Sequence, residues 1–298
     1  MLMPKTTDLL AAGICREPGL AVAFVDATES ARTLCRNHLC GPAASHVFGE
    51  ALAATALLGA SLDTGAGVVL RVNVNGPVQG FCVEASADKE GLALRGYPHR
   101  KVIEHLDGLD EPRACDTLGN AAGVQVAFTN ATRKLHHSSF EVRGELDFTV
   151  LLSHYYNESA QQPALVHVAA SLYGGYLNFT RAFLAMPLPG TPIEQCEPLR
   201  QKFLDGSIVD NLDSCLSLPD LCAALELPQP EKTATRPVRF HCGCSRERVS
   251  NMLANLSSAE LQALLDRNQP ADIFCHLCGR CHTVSLDEIR RIIGELPF

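Results

Sequence analysis

A basic surplus is missing from this chain of 298 residues, in which 25 Lys and Arg face 33 Asp and Glu for a formal net charge of −8. Proteins that grip phosphate backbones normally carry a basic patch. Averaging hides none here, because the last 68 residues hold nine Lys/Arg against eight Asp/Glu and no interleaved basic–aromatic stripe. No nucleic-acid partner is expected. An unbroken apolar run of bilayer length is also missing. The longest, Val47 to Leu62, is interrupted by Gly49, Glu50 and Gly59. It falls short of the roughly 20 residues a membrane helix needs and reads as a buried helix, so no membrane partner is expected. Met1 to Leu20 has one early lysine, Lys5, and no continuous apolar core of a secretory signal. Asp8 and Glu17 weigh against a mitochondrial targeting segment. A cytoplasmic location is expected, with an organelle as the alternative.

Enzyme signatures are equally scarce. The chain has no P-loop, no dinucleotide fingerprint and no Gly-x-Ser-x-Gly elbow. A zinc deaminase would place proline before its Cys-x-x-Cys, where this chain has Phe274. A thiol–disulfide enzyme normally carries that motif at a helix start after a strand, whereas here it follows a predicted helix. His136-His137 and Ser153-His154 read as ordinary surface and helix residues. The chain is expected not to be an enzyme. Hydrophobic residues make up 46%, which excludes disorder throughout.

The patterning predicts an α+β fold. Thr33–Asn37 and Ala43–Ser61 read as helical. Leu70, Val72 and Val74 then alternate with other residues at strand spacing, Asn75-Gly76 supplies a tight turn, and Phe81 and Val83 continue a second strand. Further strands are predicted over Leu92–Tyr97, Gly123–Phe128, Ser139–Gly144 and Ala164–Ala170, with a helix over Asp147–Asn157. Hairpins with interspersed helices favour a mixed or antiparallel sheet over repeated βαβ units. Residues 1–186 form this predicted body. Residues 187–237 are proline-punctuated, with short helices near Glu194–Phe203 and Leu218–Leu225, and end in the extended linker Leu227–Pro237. A domain boundary is expected near residue 230. Residues 238–298 form a small module with helices near 246–255, 258–267 and 286–295. Ser257-x-x-Glu260 and Ser285-x-x-Glu288 are capping boxes for two of them.

What the chain has in excess is cysteine, 13 in all. Without a secretory signal a disulfide framework is not expected, so clustered cysteines point to metal or redox chemistry. Cys242-Gly-Cys244 and Cys275-His-Leu-Cys278 lie 30 residues apart in a module too small to rest on its own core. Two close thiolate pairs each supply one edge of the tetrahedron that Zn²⁺ prefers. One zinc per chain is therefore expected. Cys281, His241, His276 and His282 flank the pairs and are alternative ligands. Cys281 and His241 are the accessory candidates. Arg246, Arg248 and Arg280 either lower the thiol pKa values or are plain surface cations. Cys15, Cys35, Cys40, Cys82, Cys115, Cys196, Cys215 and Cys222 are scattered among apolar neighbours and read as packing residues.

The run Phe240-His-Cys-Gly-Cys-Ser-Arg-Glu-Arg-Val249, its spacing to Ile273-Phe-Cys-His-Leu-Cys278 and its C-terminal position resemble the thirty-three kilodalton chaperonin family, redox-regulated heat-shock holdases. Val74-Asn-Gly-Pro77, Leu94-Arg-Gly96, Leu118-Gly-Asn120 and Gly144-Glu-Leu-Asp147 follow that family's order of short motifs. The chain departs from the pattern at Gly279-Arg-Cys-His282, which adds a fifth thiol, and at Leu172–Asn178. The resemblance implies an ATP-independent holdase for unfolding client proteins. Its zinc thiolates would oxidise to disulfides Cys242–Cys244 and Cys275–Cys278, releasing metal and activating the protein as a homodimer. A nucleic-acid-binding zinc module and a thiol–disulfide enzyme are the rival readings.

Overall fold

The computed structural model describes residues 8–109, 112–130, 134–253 and 255–295. Residues 1–7, with Lys5 of the N-terminal reading, and Ala254, inside the predicted 246–255 helix, lie outside them. The chain divides into two compact units, Met1–His241 and Cys242–Phe298.

The first unit is built on one ten-stranded sheet. Its strands are β1 (Leu9–Cys15), β2 (Leu20–Asp26), β3 (Gly67–Val74), β4 (Gly80–Asp88), β5 (Gly91–Pro98), β6 (Ala121–Thr129), β7 (Lys134–Arg143), β8 (Leu165–Tyr173), β9 (Tyr176–Pro187) and β10 (Glu231–Phe240). The spatial order is β7-β6-β3-β4-β5-β10-β1-β2-β9-β8. The expected mixed, mostly antiparallel sheet is present, and its alternation follows the sequence. In β3, Val68, Leu70 and Val72 are buried while Arg71 and Asn73 are exposed, the two faces of a pleated strand.

Two antiparallel halves meet at β10, which runs antiparallel to β1, with Leu9 opposite Pro237, and parallel to β5, with Val238 opposite Leu92. Residues 231–237, expected at the end of a linker, are extended but belong to this sheet. The division between units therefore falls after His241 rather than near residue 230. Close approach of β5 and β10 requires Gly91, whose φ is +129° and whose Cβ would collide with the Pro237 carbonyl.

The helix Pro42–Leu58 lies within the unit, starting on a proline at its first turn. It is apolar nearly all round, so it is buried nearly all round. With the turn Gly59–Ser61 it spans 20 residues, long and apolar enough to cross a membrane by length and composition, and 89% of its most apolar stretch is buried inside the protein. The Val47–Leu62 reading as a buried helix holds. The reading as too short does not, because the helix begins at Pro42.

Two of the short motifs meet in space. The Asn75 side-chain carbonyl accepts from the N–H groups of Asn120 and Ala121, at 3.0 Å each, and Gly76 donates to the Leu118 carbonyl. Asp147 caps the helix Phe148–His154, accepting from Val150 N at 2.6 Å. Residues 193–224 form the helices Glu197–Leu204, Ser207–Ser214 and Leu218–Ala224 after a short turn. Their Leu199, Ile208, Leu212, Leu218 and Leu221 bury against Val22, Phe24, Phe179 and Phe183 of the sheet.

Candidate metal centre

The second unit has the helices Arg246–Leu253, Ser258–Asp266 and Leu286–Glu295 and the hairpin β11 (Ala271–Phe274) and β12 (Cys281–Val284). Val249, Leu253, Leu261, Val284, Ile289 and Ile292 are its enclosed apolar core. Both capping boxes are formed. Glu260 accepts from Ser257 N at 2.8 Å, and Glu288 accepts from Ser285 N at 2.9 Å.

Cys242 and Cys244 lie on the segment leading into the first helix, and Cys275 and Cys278 on the turn between β11 and β12. That turn is fixed by backbone bonds from Cys275 N to Arg280 O and from Gly279 N to Cys275 O, both 2.8 Å. Gly279 has φ +68°, the left-handed region that favours glycine. At Gly243 the backbone is not left-handed. Instead the Arg248 guanidinium packs over it and donates to its carbonyl at 2.8 Å.

The four sulfurs all lie within 4.8 Å of one another. Cys242 Sγ and Cys275 Sγ are 3.8 Å apart, and Cys244 Sγ and Cys278 Sγ are 3.5 Å apart. A zinc–sulfur bond of about 2.3 Å gives a tetrahedral edge of about 3.8 Å, so spacing and donor chemistry both fit a zinc-sized ion. The four-cysteine cluster could hold a metal. Among the described residues, neither Cys281 nor His241 belongs to this group. Cys281 is exposed on β12. His241 is exposed in the first unit, its N–H donating to the Leu94 carbonyl at 3.1 Å. His282 approaches the site as a neighbour, its Nε2 3.3 Å from Cys244 Sγ.

The electrostatics come from burial and from the thiols themselves. Burial raises the Cys278 thiol, and the adjacent Cys244 and Cys275 add to the rise. Burial also acts upward on Cys242, but hydrogen bonds from the Cys244 N–H and the other thiols outweigh it, and the net shift is downward. Of the arginines read as thiol neighbours, Arg246 pairs instead with Glu288 at 2.6 Å, whereas the Arg280 backbone N–H bonds to the Cys278 thiol and acts to lower its pKa. A sequence reading could name these residues but not their partners.

Residues 8–285 match the family model described as Hsp33 protein. A 33 kDa chaperonin of Levilactobacillus brevis is 29% identical over 283 residues, covering 91% of this chain and 92% of its own length. One from Citrifermentans bemidjiense is 26% identical over 301 residues, covering 97% and 98%. The crystal structure of the 33 kDa chaperonin from Thermotoga maritima superposes with a TM-score of 0.82 at 17% identity, over 97% of this chain and 98% of that one. With a match across nearly its whole length and the same fold, this chain belongs to the Hsp33 chaperone family.

Proposed function

We propose that the protein is a redox-regulated, ATP-independent holdase whose switch is Cys242, Cys244, Cys275 and Cys278. The observation that carries this reading is the spacing of the four sulfurs at tetrahedral distance in a unit of small core. Zinc, when bound, supplies folding free energy to a module that has little of its own, on the order of 10–16 kcal/mol for structural sites. Cys242 and Cys244 would hold it from one side and Cys275 and Cys278 from the other.

Peroxide or hypochlorite oxidises the thiolates. With peroxide, each disulfide costs two thiols their two protons and two electrons, and one hydrogen peroxide becomes two waters. The family resemblance favours the pairs Cys242–Cys244 and Cys275–Cys278. Both short sulfur contacts run across these pairs, so peptide mapping decides the pairing. Either pairing removes all four thiolate donors, the metal is lost, and the module unfolds.

The helices of residues 197–224 cover a wide apolar face of the sheet. Their undocking would expose that face, and their own apolar side, to unfolding clients. In this reading the protein works in the cytoplasm, dimerises when oxidised, binds no nucleic acid and catalyses no reaction. The test is zinc content and citrate synthase aggregation on one sample, before and after peroxide at mild heat. One zinc per chain, released as aggregation becomes suppressed, is the expected result. Retained zinc, or release without chaperone activity, would reduce the site to a structural staple.

A further inference from the structure

The first unit holds two cysteine pairs outside the metal cluster. Cys15, whose Sγ donates to the Pro228 carbonyl at 3.4 Å, neighbours Cys222, which its thiol perturbs, and both are wholly enclosed, at 0% exposure. Cys35, whose Sγ lies 3.9 Å from the Ser45 carbonyl, and Cys40 are also neighbours, and Cys35 with burial raises the Cys40 thiol. This second pair, unlike the first, lines a solvent-open cavity of about 570 Å³.

The pairing follows from how one helix ends. Thr28–His38 terminates on Leu39, which is left-handed at φ 57° and ψ 46°. The reversal brings Cys40 N to the Cys35 carbonyl at 2.9 Å, the six-to-one bond of a Schellman cap. That cap commonly brings the flanking side chains at these two positions into contact, where an apolar pair usually sits. Here both are cysteines. Leu39 occupies a position that glycine usually takes, and its side chain stands 77% exposed at the cavity. Arg32 helps to fix the wall, donating to the Leu177 carbonyl at 2.8 Å.

We propose that Cys35 and Cys40 are a second oxidisable dithiol, closed to a disulfide by hydroperoxides entering this cavity, independently of the four C-terminal cysteines. Cys40, the more accessible of the two, reacts first. Its sulfur attacks the outer oxygen of the hydroperoxide, the O–O bond breaks, and the other oxygen leaves as water or an alcohol. Cys40 is then a sulfenic acid. The Cys35 sulfur attacks that of Cys40, the S–O bond breaks, and hydroxide leaves with the thiol proton as water. Two thiols lose two electrons, and one hydroperoxide gains them. Cys35 and burial together hold the Cys40 thiol protonated, so this closure is slower than oxidation of an exposed, low-pKa thiolate.

The test does not depend on the zinc reading. Reduced full-length protein is treated with hydrogen peroxide or cumene hydroperoxide, alkylated in denaturant and digested with trypsin. Cleavage after Arg32, Arg36 and Arg71 leaves Cys35 alone on peptide 33–36 and Cys40 alone on peptide 37–71. The expected product is these two peptides joined, two hydrogens lighter than their sum, in the native chain and in Cys275→Ser/Cys278→Ser alike. In Cys35→Ser, Cys40 should stop at the sulfenic acid and take up dimedone. Recovery of both native peptides fully alkylated, Cys40 joined to any other cysteine, or loss of the link in the double variant overturns the proposal.

Discussion

Arg181 and Asp26 form an ion pair at 2.9 Å with side-chain exposures of only 5% and 3%. The same guanidinium donates to the carbonyls of Leu212 and Asp213, at 2.7 and 2.8 Å. It therefore ties the C-terminal end of the helix Ser207–Ser214 to strands β2 and β9. Cations suit the carbonyls left open at a helix end. A buried pair is weak evidence for net stability, but removing one partner strands the other charge.

Arg181→Met should accordingly lower unfolding free energy by about 3–5 kcal/mol, read by urea denaturation followed by circular dichroism. Asp26→Leu added to it should recover part of that loss, since no charge then remains buried. If the proposed switch is right, Arg181→Met should also suppress citrate synthase aggregation before any oxidation, because the helix it anchors is loosened. A fully stable, inactive single variant would contradict both expectations.

His167 on β8 meets Phe203 of the helix Glu197–Leu204 edge to face, with ring centroids 6.4 Å apart. Burial pushes its pKa down to about 4, so the folded state holds the ring neutral. An unfolded histidine titrates near 6.5. The stabilisation is present above about pH 6.5 and is lost as pH falls from there to about 4, where the unfolded chain binds the extra proton. The total is about 3 kcal/mol at most. Urea midpoints between pH 7.5 and 4.5 should fall more steeply for the native chain than for His167→Leu. Parallel slopes would mean that His167 is not held neutral.

Much of this was legible from residue order alone. The alternation in β3 and β6, the buried helix around Val47, both capping boxes and the four clustered cysteines all announce themselves within short windows. What escaped was set by distant partners. β1, β2 and β9 went unread; in β2 and β9 the apolar residues run on without alternation, being buried over much of their length. β10 hid behind Pro230 and Pro237, and only its pairing with β1 and β5 makes it a strand. The Cys35–Cys40 contact depends on a left-handed Leu39 that no propensity favours. The arginines beside the cluster were visible as cations, but their engagement with Glu288 and Gly243 belongs to the folded unit.

Cys275→Ser/Cys278→Ser should abolish tight zinc binding and unfold the second unit, whose six-residue enclosed core offers little else. Zinc per chain by elemental analysis and amide dispersion by NMR measure the two effects. Cys281→Ser and His241→Ala should each keep one zinc, since neither residue joins the sulfur cluster. One tight zinc retained by the double variant, or zinc lost from Cys281→Ser, would overturn the ligand assignment.

Cys222 offers a direct reading of whether the covering helices leave the sheet. It sits on the helix Leu218–Ala224 with no exposed surface, its thiol perturbed by the neighbouring Cys15 of β1. Burial and Cys15 both hold that thiol protonated, and the thiolate is the form that alkylates. In the reduced, zinc-loaded protein, Cys222 should resist iodoacetamide under native conditions. After peroxide and mild heat, undocking would separate the two thiols, wet both and return Cys222 to ordinary reactivity. Alkylation of Cys222 should then rise together with suppression of citrate synthase aggregation, on the same time course. Chaperone activity with Cys222 still protected would mean that clients bind elsewhere, on a surface the helices of residues 197–224 do not cover.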